Sequence, residues 1–326
     1  MSGRSKLAIL SDIHYASAGE QARGDDYEFR DLANPFFRFF LRTHRHYFWL
    51  RHPLRHNHLL DRFIEQTSDA DLIVANGDYS CNSAFIGLSD EAAFQSAREC
   101  LGKLRDKFGP RFRATIGDHE LGKLSFEGKR GGMRLKSWER ATQELGLQPF
   151  WKVELGAYVL IGVASTLIAL PVLQGETLPE EWPEWNRFRE QHLEDVRKAF
   201  AELPVAKRAL LFCHDPTALP FLLREDAVRK CLPQIDHTII GHLHSRLILW
   251  KSRCLAGIPP IRFFGHSVKK FTTALREARH WQAFRIQLCP SLAGIELLKD
   301  GGYLSAEIEP QTHGPLELKR HRLLRS

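Results

Sequence analysis

Five short apolar runs along the chain end in polar, ionisable residues of the same few types. Each run has the length of a β-strand, and its nearly continuous apolar character is typical of strands covered on both faces. With the polar residues that follow, the runs are KLAILSDIH (6–14), ADLIVANGD (70–78), FRATIGDHE (112–120), RALLFCHD (208–215) and DHTIIGHLH (236–244). YVLIGVAST (158–166) predicts a sixth strand, which lacks such an ending.

The segments before three of these runs have the apolar spacing of helices. HLLDRFIEQTSD precedes the second run, DEAAFQSARECLGKLRDKFG the third and RFREQHLEDVRKAFAELP the fourth. Alternation of strands and helices predicts an α/β fold with helices on the faces of a sheet.

The pattern changes after residue 244, where short apolar segments are separated by turns. IRFFGHSV, WQAFRIQLC, AGIELLKDGGYLSAEIE and LELKRHRLL predict strands. We expect 245–326 to complete a second sheet. No linker-like composition divides the chain, so 1–326 is predicted to form a single domain.

Composition places the chain among ordinary globular proteins, with 43% hydrophobic and 26% charged residues. The six cysteines are scattered without a CxxC pair, which argues against a disulfide framework and for a reducing compartment. Neither a signal peptide nor a run of about 20 apolar residues is visible. These features favour a cytoplasmic location.

The polar strand endings are expected to converge, because loops after the carboxyl ends of strands in an α/β sheet gather into one site. Asp12 and His14 lie two residues apart on an extended chain and so face the same side, as do His242 and His244. Asp78, a lone carboxylate, is suited to bridge two ions. Carboxylates and imidazoles bind Mn, Fe or Zn, and we expect two divalent ions, Mn first. The converging set is Asp12, His14, Asp78, Asp118, His119, His214, His242 and His244.

The blocks DIH, NGD, GDHE, FCHD and GHLH resemble, in this order, the DxH, GD, GNH(D/E), H and GHxH blocks of the calcineurin-like metallophosphoesterase family. The resemblance covers 6–245. It implies a two-sheet β-sandwich flanked by helices, in which metal-activated hydroxide attacks a phosphate ester or pyrophosphate. It also implies two ligand sets: Asp12, His14, Asp78 and His244 for one metal, and Asp78, Asp118, His214 and His242 for the other.

The same resemblance implies that His119 contacts the phosphate and protonates the leaving oxygen, while Glu120 orients the imidazole ring. Asn76 and Tyr15 are expected to line the site and to contact the substrate. Two further histidines near the motifs are expected to be structural or solvent-facing: His237 and His266.

Asp118 departs from the family pattern, which has asparagine at this position. An asparagine can ligate a metal and still donate an N–H to phosphate, whereas an ionised aspartate cannot donate. Its charge should repel a phosphate dianion more than a diester or a pyrophosphate. We therefore expect Asp118→Asn to raise turnover of phosphomonoesters. The alternative is that Asp118 blunts catalysis and leaves a metal-binding scaffold.

The segment 34–60 interleaves aromatic residues with arginine and histidine, in a chain whose formal net charge is +7. It carries five arginines and no acid between 35 and 56. Three interpretations remain open: an interfacial helix or lid on an anionic membrane surface, a stacking platform for nucleic acid, or a helical hairpin that caps the domain. The aromatic residues are Phe36, Phe37, Phe39, Phe40, Tyr47, Phe48 and Trp49.

This insertion makes the chain similar to calcineurin-like enzymes that cleave the pyrophosphate of UDP-2,3-diacylglucosamine. That similarity implies a lipid-linked substrate, a lid formed by 30–60 and a peripheral position at the inner membrane face. The chain departs from the best-known branch, which has arginine where His119 stands. The alternative activities are those of a nuclease or cyclic-nucleotide phosphodiesterase and of a phosphoprotein phosphatase.

Overall fold

A computed structural model describes residues 3–30, 32–81, 85–124, 130–257, 259, 272–273, 275–311 and 314–323. Within them, strands form two five-stranded sheets with the orders β10-β9-β1-β2-β3 and β4-β5-β6-β7-β8. The strands are β1 (Ser5–Leu10), β2 (Leu72–Asn76), β3 (Phe112–Thr115), β4 (Phe150–Leu155), β5 (Tyr158–Val163), β6 (Arg208–Cys213), β7 (Ile235–Ile240), β8 (Ile286–Leu288), β9 (Gly302–Ile308) and β10 (Lys319–Arg322).

The predicted α/β sandwich of two sheets flanked by helices is confirmed. Strands β1, β2 and β3 run parallel, and so do β5, β6, β7 and β8. β4, β9 and β10 are antiparallel to their neighbours. Because the five strands with polar endings are all in the parallel parts, their carboxyl ends meet at one edge.

Helices fill the connections between strands. They are α1 (Ala18–Arg23), α2 (Pro35–His44), α3 (His58–Gln66), α4 (Glu91–Phe108), α5 (Asp118–Leu121), α6 (Leu135–Glu139), α7 (Ser165–Ile168), α8 (Leu170–Leu173), α9 (Trp182–Ala201), α10 (Leu219–Leu222), α11 (Asp226–Lys230) and α12 (Arg246–Cys254). Short 3-10 turns cover Tyr27–Phe29, Pro53–Arg55, Gly87–Ser89, Gly109–Arg111, Gln174–Glu176, Pro179–Glu181, Pro216–Ala218, Leu232–Gln234 and Ala278–Phe284, and π turns cover Arg45–Trp49 and Arg140–Glu144.

The period-2 alternation of β1 divides its side chains between two layers. Leu7 and Ile9 pack in the core between the sheets, whereas Leu10 lies in the core that includes α3 and α4. In the second sheet, Leu210 lies between the sheets and Leu211 lies in the core that includes α9. Both faces of the central strands are therefore buried, which explains their nearly continuous apolar sequence.

The C-terminal strands do not complete one sheet, so the prediction for 245–326 is wrong in part. β8 extends the second sheet beside β7, but β9 pairs antiparallel with β1 in the first sheet and β10 follows it. Leu304, Ala306 and Ile308 alternate along β9 and fill the core between the sheets, which favours pairing at the edge of β1. The predicted strand IRFFGHSV, with His266, lies outside the described residues.

In the insertion, α2 is followed by a π turn and a 3-10 turn, and α3 begins at His58; α2 is not buried against the domain as a capping hairpin would be. The Asn34 side chain caps α2 by accepting N–H groups from Phe36 and Phe37. The chain then continues through the π turn Arg45–Trp49. α2 buries none of its residues. Across the described part of the chain, no helix has the length and apolar character needed to span a bilayer.

Candidate metal centre

Five of the predicted ligands adopt left-handed backbone conformations directly after their strands. They account for five of the eight non-glycine residues with positive φ in the described chain. L-residues rarely adopt this conformation, which is concentrated at functional sites where surrounding contacts hold it in place. The five are Asp12 (φ 51°), His14 (50°), Asp78 (61°), His242 (57°) and His244 (57°).

Two clusters of ligand-type side chains lie at the carboxyl edge of the sheets. Within each cluster, one donor atom from every side chain lies within 4.8 Å of the others. In the first cluster, Asp12 Oδ1 is 3.1 Å from His244 Nε2, and His14 Nε2 is 3.4 Å from the same nitrogen. The clusters are Asp12, His14, Asp78 and His244, and Asp118, His214 and His242.

The second cluster centres on one carboxylate oxygen. Asp118 Oδ1 lies 3.2 Å from His214 Nε2 and 3.0 Å from His242 Nδ1. Burial alone would raise the pKa of Asp118, but Lys123 and His242 hold it well below its ordinary value. Asp118 is therefore ionised, as a metal ligand must be.

Asp78 belongs to the first cluster, approaches His214 of the second and carries an unsatisfied oxygen. Its Oδ1 accepts the backbone N–H of His119 at 3.1 Å. Its Oδ2 is buried without a hydrogen bond in the described chain, although it lies 3.2 Å from His214 Nε2. A buried carboxylate oxygen without a donor is costly. A divalent cation would satisfy it, so the residues present fit a metal centre.

Backbone carbonyls orient two of the imidazole rings. His214 Nδ1 lies 2.5 Å from the carbonyl oxygen of Asn76, and His14 Nδ1 lies 3.2 Å from that of Ser80. Because a carbonyl only accepts, each Nδ1 carries the proton. Each Nε2 then presents its lone pair to the centre, as metal-binding histidines commonly do.

Glu120 does not orient His119, which corrects the predicted role. Its Oε2 accepts N–H groups from Asp78 at 3.0 Å and Gly117 at 2.8 Å, and its Oε1 accepts from Tyr79 at 2.8 Å. Burial and the Asp78 carboxylate raise the pKa of Glu120, whereas the three N–H groups favour its ionised form. Glu120 therefore joins the β2 loop to the start of α5 beneath the metal centre.

Asn76 and Tyr15 do not present their side chains to a substrate, contrary to prediction. The Asn76 amide is fully buried, where it accepts the Thr115 hydroxyl at 3.0 Å and donates to the carbonyl of Ile239. Its contribution to the site is the carbonyl that orients His214. The Tyr15 side chain packs in the hydrophobic core, with Lys103 of α4 over its ring.

His119 and Lys123 form a pair that the sequence did not indicate. Lys123 Nζ lies 2.7 Å from His119 Nε2 and 3.2 Å from Asp118 Oδ2. Burial and the Lys123 cation lower the pKa of His119 to about 3. In this geometry Nε2 accepts from the ammonium, so the neutral ring carries its proton on the buried Nδ1. A lysine five residues after Asp118 follows no recognisable motif.

The insertion reaches the metal centre through Trp49. The Trp49 and His244 rings lie 4.7 Å apart between centroids, and the Trp49 carbonyl accepts the backbone N–H of Glu296. The backbone N–H of Arg51 donates to the Glu296 carboxylate at 3.2 Å.

The predicted structural residue His237 lies away from this contact, with its Nε2 2.9 Å from the carbonyl oxygen of Leu316.

Residues 5–246 match the calcineurin-like phosphoesterase family. Among solved structures, a dimetal phosphatase from Danio rerio is similar, with 14% identity and a TM-score of 0.52 over 99% of this chain and 98% of that one. Phosphopantetheinyl hydrolase from Mycobacterium tuberculosis also has 14% identity, over 75% of this chain and 84% of that one. Its TM-score of 0.34 adds nothing to the assignment. No curated protein sequence matches the chain.

Proposed function

The chain belongs to the calcineurin-like phosphoesterase family, and from that premise we propose that it hydrolyses a phosphate ester or anhydride carried on a lipid. A metal-dependent phosphoester hydrolase is the activity that the family and the fold support. Our proposal adds the substrate class, with the pyrophosphate of UDP-2,3-diacylglucosamine as first choice. It also places the enzyme peripherally at the cytoplasmic face of a membrane.

Two divalent ions are indicated by the clusters and by the family. We propose that Asp12, His14 and His244 hold one ion, that the second cluster holds the other, and that Asp78 contacts both. When bound, such ions polarise a phosphoryl oxygen and lower the pKa of coordinated water. Mn is our first choice, with Fe or Zn as alternatives, since mixed N/O sites discriminate weakly among these metals.

The observation that carries the substrate proposal is the exposure of large aromatic side chains on α2 and on the π turn that follows it, which ends at Trp49 against His244. In a water-soluble protein such a cluster indicates a surface that contacts something apolar. An interfacial helix presents this kind of face to the acyl boundary of a bilayer. The exposed fractions are 84% for Phe36, 41% for Phe37, 71% for Phe39, 62% for Phe40, 56% for Tyr47 and 50% for Phe48.

The arginines of the insertion contribute less to a surface than their number suggests. Arg42 and Arg45 both pair with Asp26, at 2.8 and 3.2 Å, and Arg45 also stacks on the Phe29 ring. Arg38 donates to the carbonyl of Leu32. These contacts hold α2 to the preceding segment. We therefore assign attachment mainly to the aromatic side chains.

The exposed aromatic segment is followed directly by a residue that contacts the first metal cluster. This proximity favours a substrate that reaches both the aromatic side chains and the metals. Trp49 follows the exposed aromatic segment directly and contacts His244, which belongs to the first cluster. A molecule with a phosphate at the metals and acyl chains along α2 would occupy both surfaces at once. A small soluble phosphate ester would leave the aromatic side chains in water.

The test compares a lipid-linked substrate with a soluble one. UMP release from UDP-2,3-diacylglucosamine in mixed micelles and hydrolysis of bis-p-nitrophenyl phosphate are measured with Mn-loaded protein. We expect a triple Phe36→Ser, Phe39→Ser and Phe40→Ser variant to lose about tenfold or more on the micellar substrate, because it removes apolar contact area. Turnover of the soluble diester should stay within about twofold, since these side chains lie outside the clusters.

Two controls separate the substrate proposal from the hydrolase assignment. His14→Ala should hydrolyse neither substrate, because it removes a member of the first cluster. A matched variant, Val205→Ser, alters an exposed apolar residue that is 96% accessible and lies after α9. It should change neither rate. No UMP release by a parent protein that still cleaves the diester would remove the lipid-linked substrate and direct attention to nucleotides.

A further inference from the structure

Lys123 is the cation nearest to the second metal cluster among the contacts described. Its side chain retains 29% exposure, compared with 11% for Asp118 and 10% for His119. The ammonium therefore lies on the solvent side of Asp118 while contacting both residues. A substrate that approaches Asp118 from solvent can therefore contact the Lys123 ammonium.

The Lys123 ammonium has the donor that Asp118 lacks. An ammonium carries three N–H groups, and its contacts with Asp118 and His119 account for two of them. The Lys123 ammonium lies 3.2 Å from Asp118 Oδ2, so a donor stands beside an aspartate that adds negative charge and donates nothing when ionised.

We propose that Lys123 is a substrate-binding residue that donates to a phosphoryl oxygen and offsets the charge of Asp118. Asp118 and Lys123 then act as a unit in place of a neutral side chain that would both ligate and donate. This inference rests on the hydrolase activity of the proposed function but not on the lipid. A charge-assisted N–H donor suits an anionic phosphoryl oxygen, and a phosphate dianion gains most from it.

The proposal makes the two positions interdependent. With Asp118 present, Lys123→Met leaves a carboxylate facing an anionic substrate without its cation. With Asp118→Asn, the amide supplies a donor and removes the charge, so the same lysine change should matter far less. Asp118→Asn alone should help less than the sequence suggested, because Lys123 already offsets part of the repulsion.

The experiment is a double-mutant cycle on the Mn-loaded enzyme, with p-nitrophenyl phosphate as dianion and bis-p-nitrophenyl phosphate as monoanion. Lys123→Met should lower kcat/KM for the dianion by about a hundredfold in the Asp118 background, as removal of a transition-state donor does. In the Asp118→Asn background the loss should be about threefold or less. The amide already supplies a donor there, and no aspartate charge remains for the lysine to offset. The monoanion should show a smaller loss.

Binding measurements distinguish this role from a purely structural one. By calorimetry, Lys123→Met should weaken binding of inorganic phosphate to the Mn-loaded protein while tightening Mn²⁺ binding about threefold, because a cation beside the metal ligands has been removed. A structural role would weaken both. Lys123→Arg should retain phosphate binding, and Lys107→Met, an exposed lysine of α4, should alter neither ligand.

Equal losses from Lys123→Met in both backgrounds would overturn the proposal, as would weakening of both ligands. If Lys123→Met fails to fold, Lys123→Gln supplies an uncharged polar side chain at the same position, and the same two criteria apply. An inactive parent would instead count against the hydrolase activity. The phosphate and Mn²⁺ titrations would then still decide the role of Lys123.

Discussion

The metal centre and the aromatic helix α2 differ in how far their side chains are buried and hydrogen-bonded within the protein. At the centre, Asp12 is fully buried and Asp78 is 1% exposed, and hydrogen bonds reach both from neighbouring backbone. On α2, Phe36 and Phe39 are 84% and 71% exposed. The buried side chains of the centre are held in place by hydrogen bonds, whereas the aromatic side chains of α2 are largely exposed in the described structure.

The difference extends to the use of charge. In the centre, the carboxylates face imidazoles or Lys123 at hydrogen-bonding distances. In the insertion, Arg42 and Arg45 both pair with Asp26, while the aromatic side chains are largely exposed. Charged contacts therefore fix geometry in both regions, and of these two regions the insertion is the one whose large apolar side chains are exposed.

The largest expected effect is on turnover and comes from removing the charge of Asp78. Asp78→Asn keeps the shape of the side chain but removes the charge of a first-cluster carboxylate that also lies 3.2 Å from His214 of the second cluster. Loss of several kcal/mol of transition-state stabilisation corresponds to about a thousandfold lower turnover of bis-p-nitrophenyl phosphate. Metal content after gel filtration should fall as well.

Asp69→Asn is the matched control, because Asp69 is an exposed carboxylate that pairs with Lys6. It should change neither turnover nor metal content. If Asp78→Asn retained turnover within about tenfold of the parent, the centre would not depend on this carboxylate. Burial of Asp78 would then not indicate a functional role, and the comparison with the exposed helix α2 would lose its main support.

The next effect is on stability and comes from Glu120. Glu120→Gln replaces one carboxylate oxygen by an NH2 group, which leaves at least one of three backbone N–H groups facing a donor. Leaving a buried backbone N–H without an acceptor should lower the free energy of unfolding by about 1–3 kcal/mol, measured by urea denaturation.

Glu65→Gln changes an exposed glutamate of α3 and should leave the urea midpoint where it is. An unchanged midpoint for Glu120→Gln would mean that the loops beneath the centre do not rely on this carboxylate. A catalytic contact between Glu120 and the His119 ring would then need to be considered again.

The smallest expected effect tests the contact between the two regions, which is made by the Trp49 and His244 rings. Trp49→Ala removes the ring that lies against His244. Residues that support a metal ligand typically matter by 10–100-fold, and we expect about tenfold lower kcat/KM on the soluble diester. Trp49→Phe should recover most of it, because an aromatic ring remains.

Trp250→Ala on α12 is the control, since that indole is 61% exposed. A normal rate for Trp49→Ala on the soluble diester, together with a normal rate on the micellar substrate, would make the insertion and the centre independent. The two regions could then no longer be treated as parts of one substrate site.

Local patterns predicted the alternation of strands and helices and the convergence of the polar strand endings, whereas the two-sheet sandwich was implied by the resemblance to the calcineurin-like family. An apolar run followed by a polar block marks the carboxyl end of a strand wherever its neighbours lie. The pairing of β9 with β1 could not be read in this way. Residues 302 and 5 are far apart in the chain, and the choice of edge depends on which core Leu304 fills.

The side chains around the metals were less predictable than the ligands themselves. Asn76 and Glu120 stand in the expected motifs, but their hydrogen bonds go to backbone and core atoms that only the folded chain brings together. Lys123 follows no motif, and its contact with His119 depends on the turn after α5. Sequence spacing fixes which residues approach the metals, not which atoms complete their surroundings.

The left-handed backbone at five ligand positions has a consequence for the life of the protein in a cell. Each such L-residue costs roughly 1–2 kcal/mol, and the cost falls on the folded chain alone. Since metal binding to folded protein shifts the folding equilibrium, molecules made during metal shortage should open more often at this pocket. Proteases act on opened chains. The supply of the metal ion would thus affect the proteolytic lifetime of the protein as well as its catalytic rate.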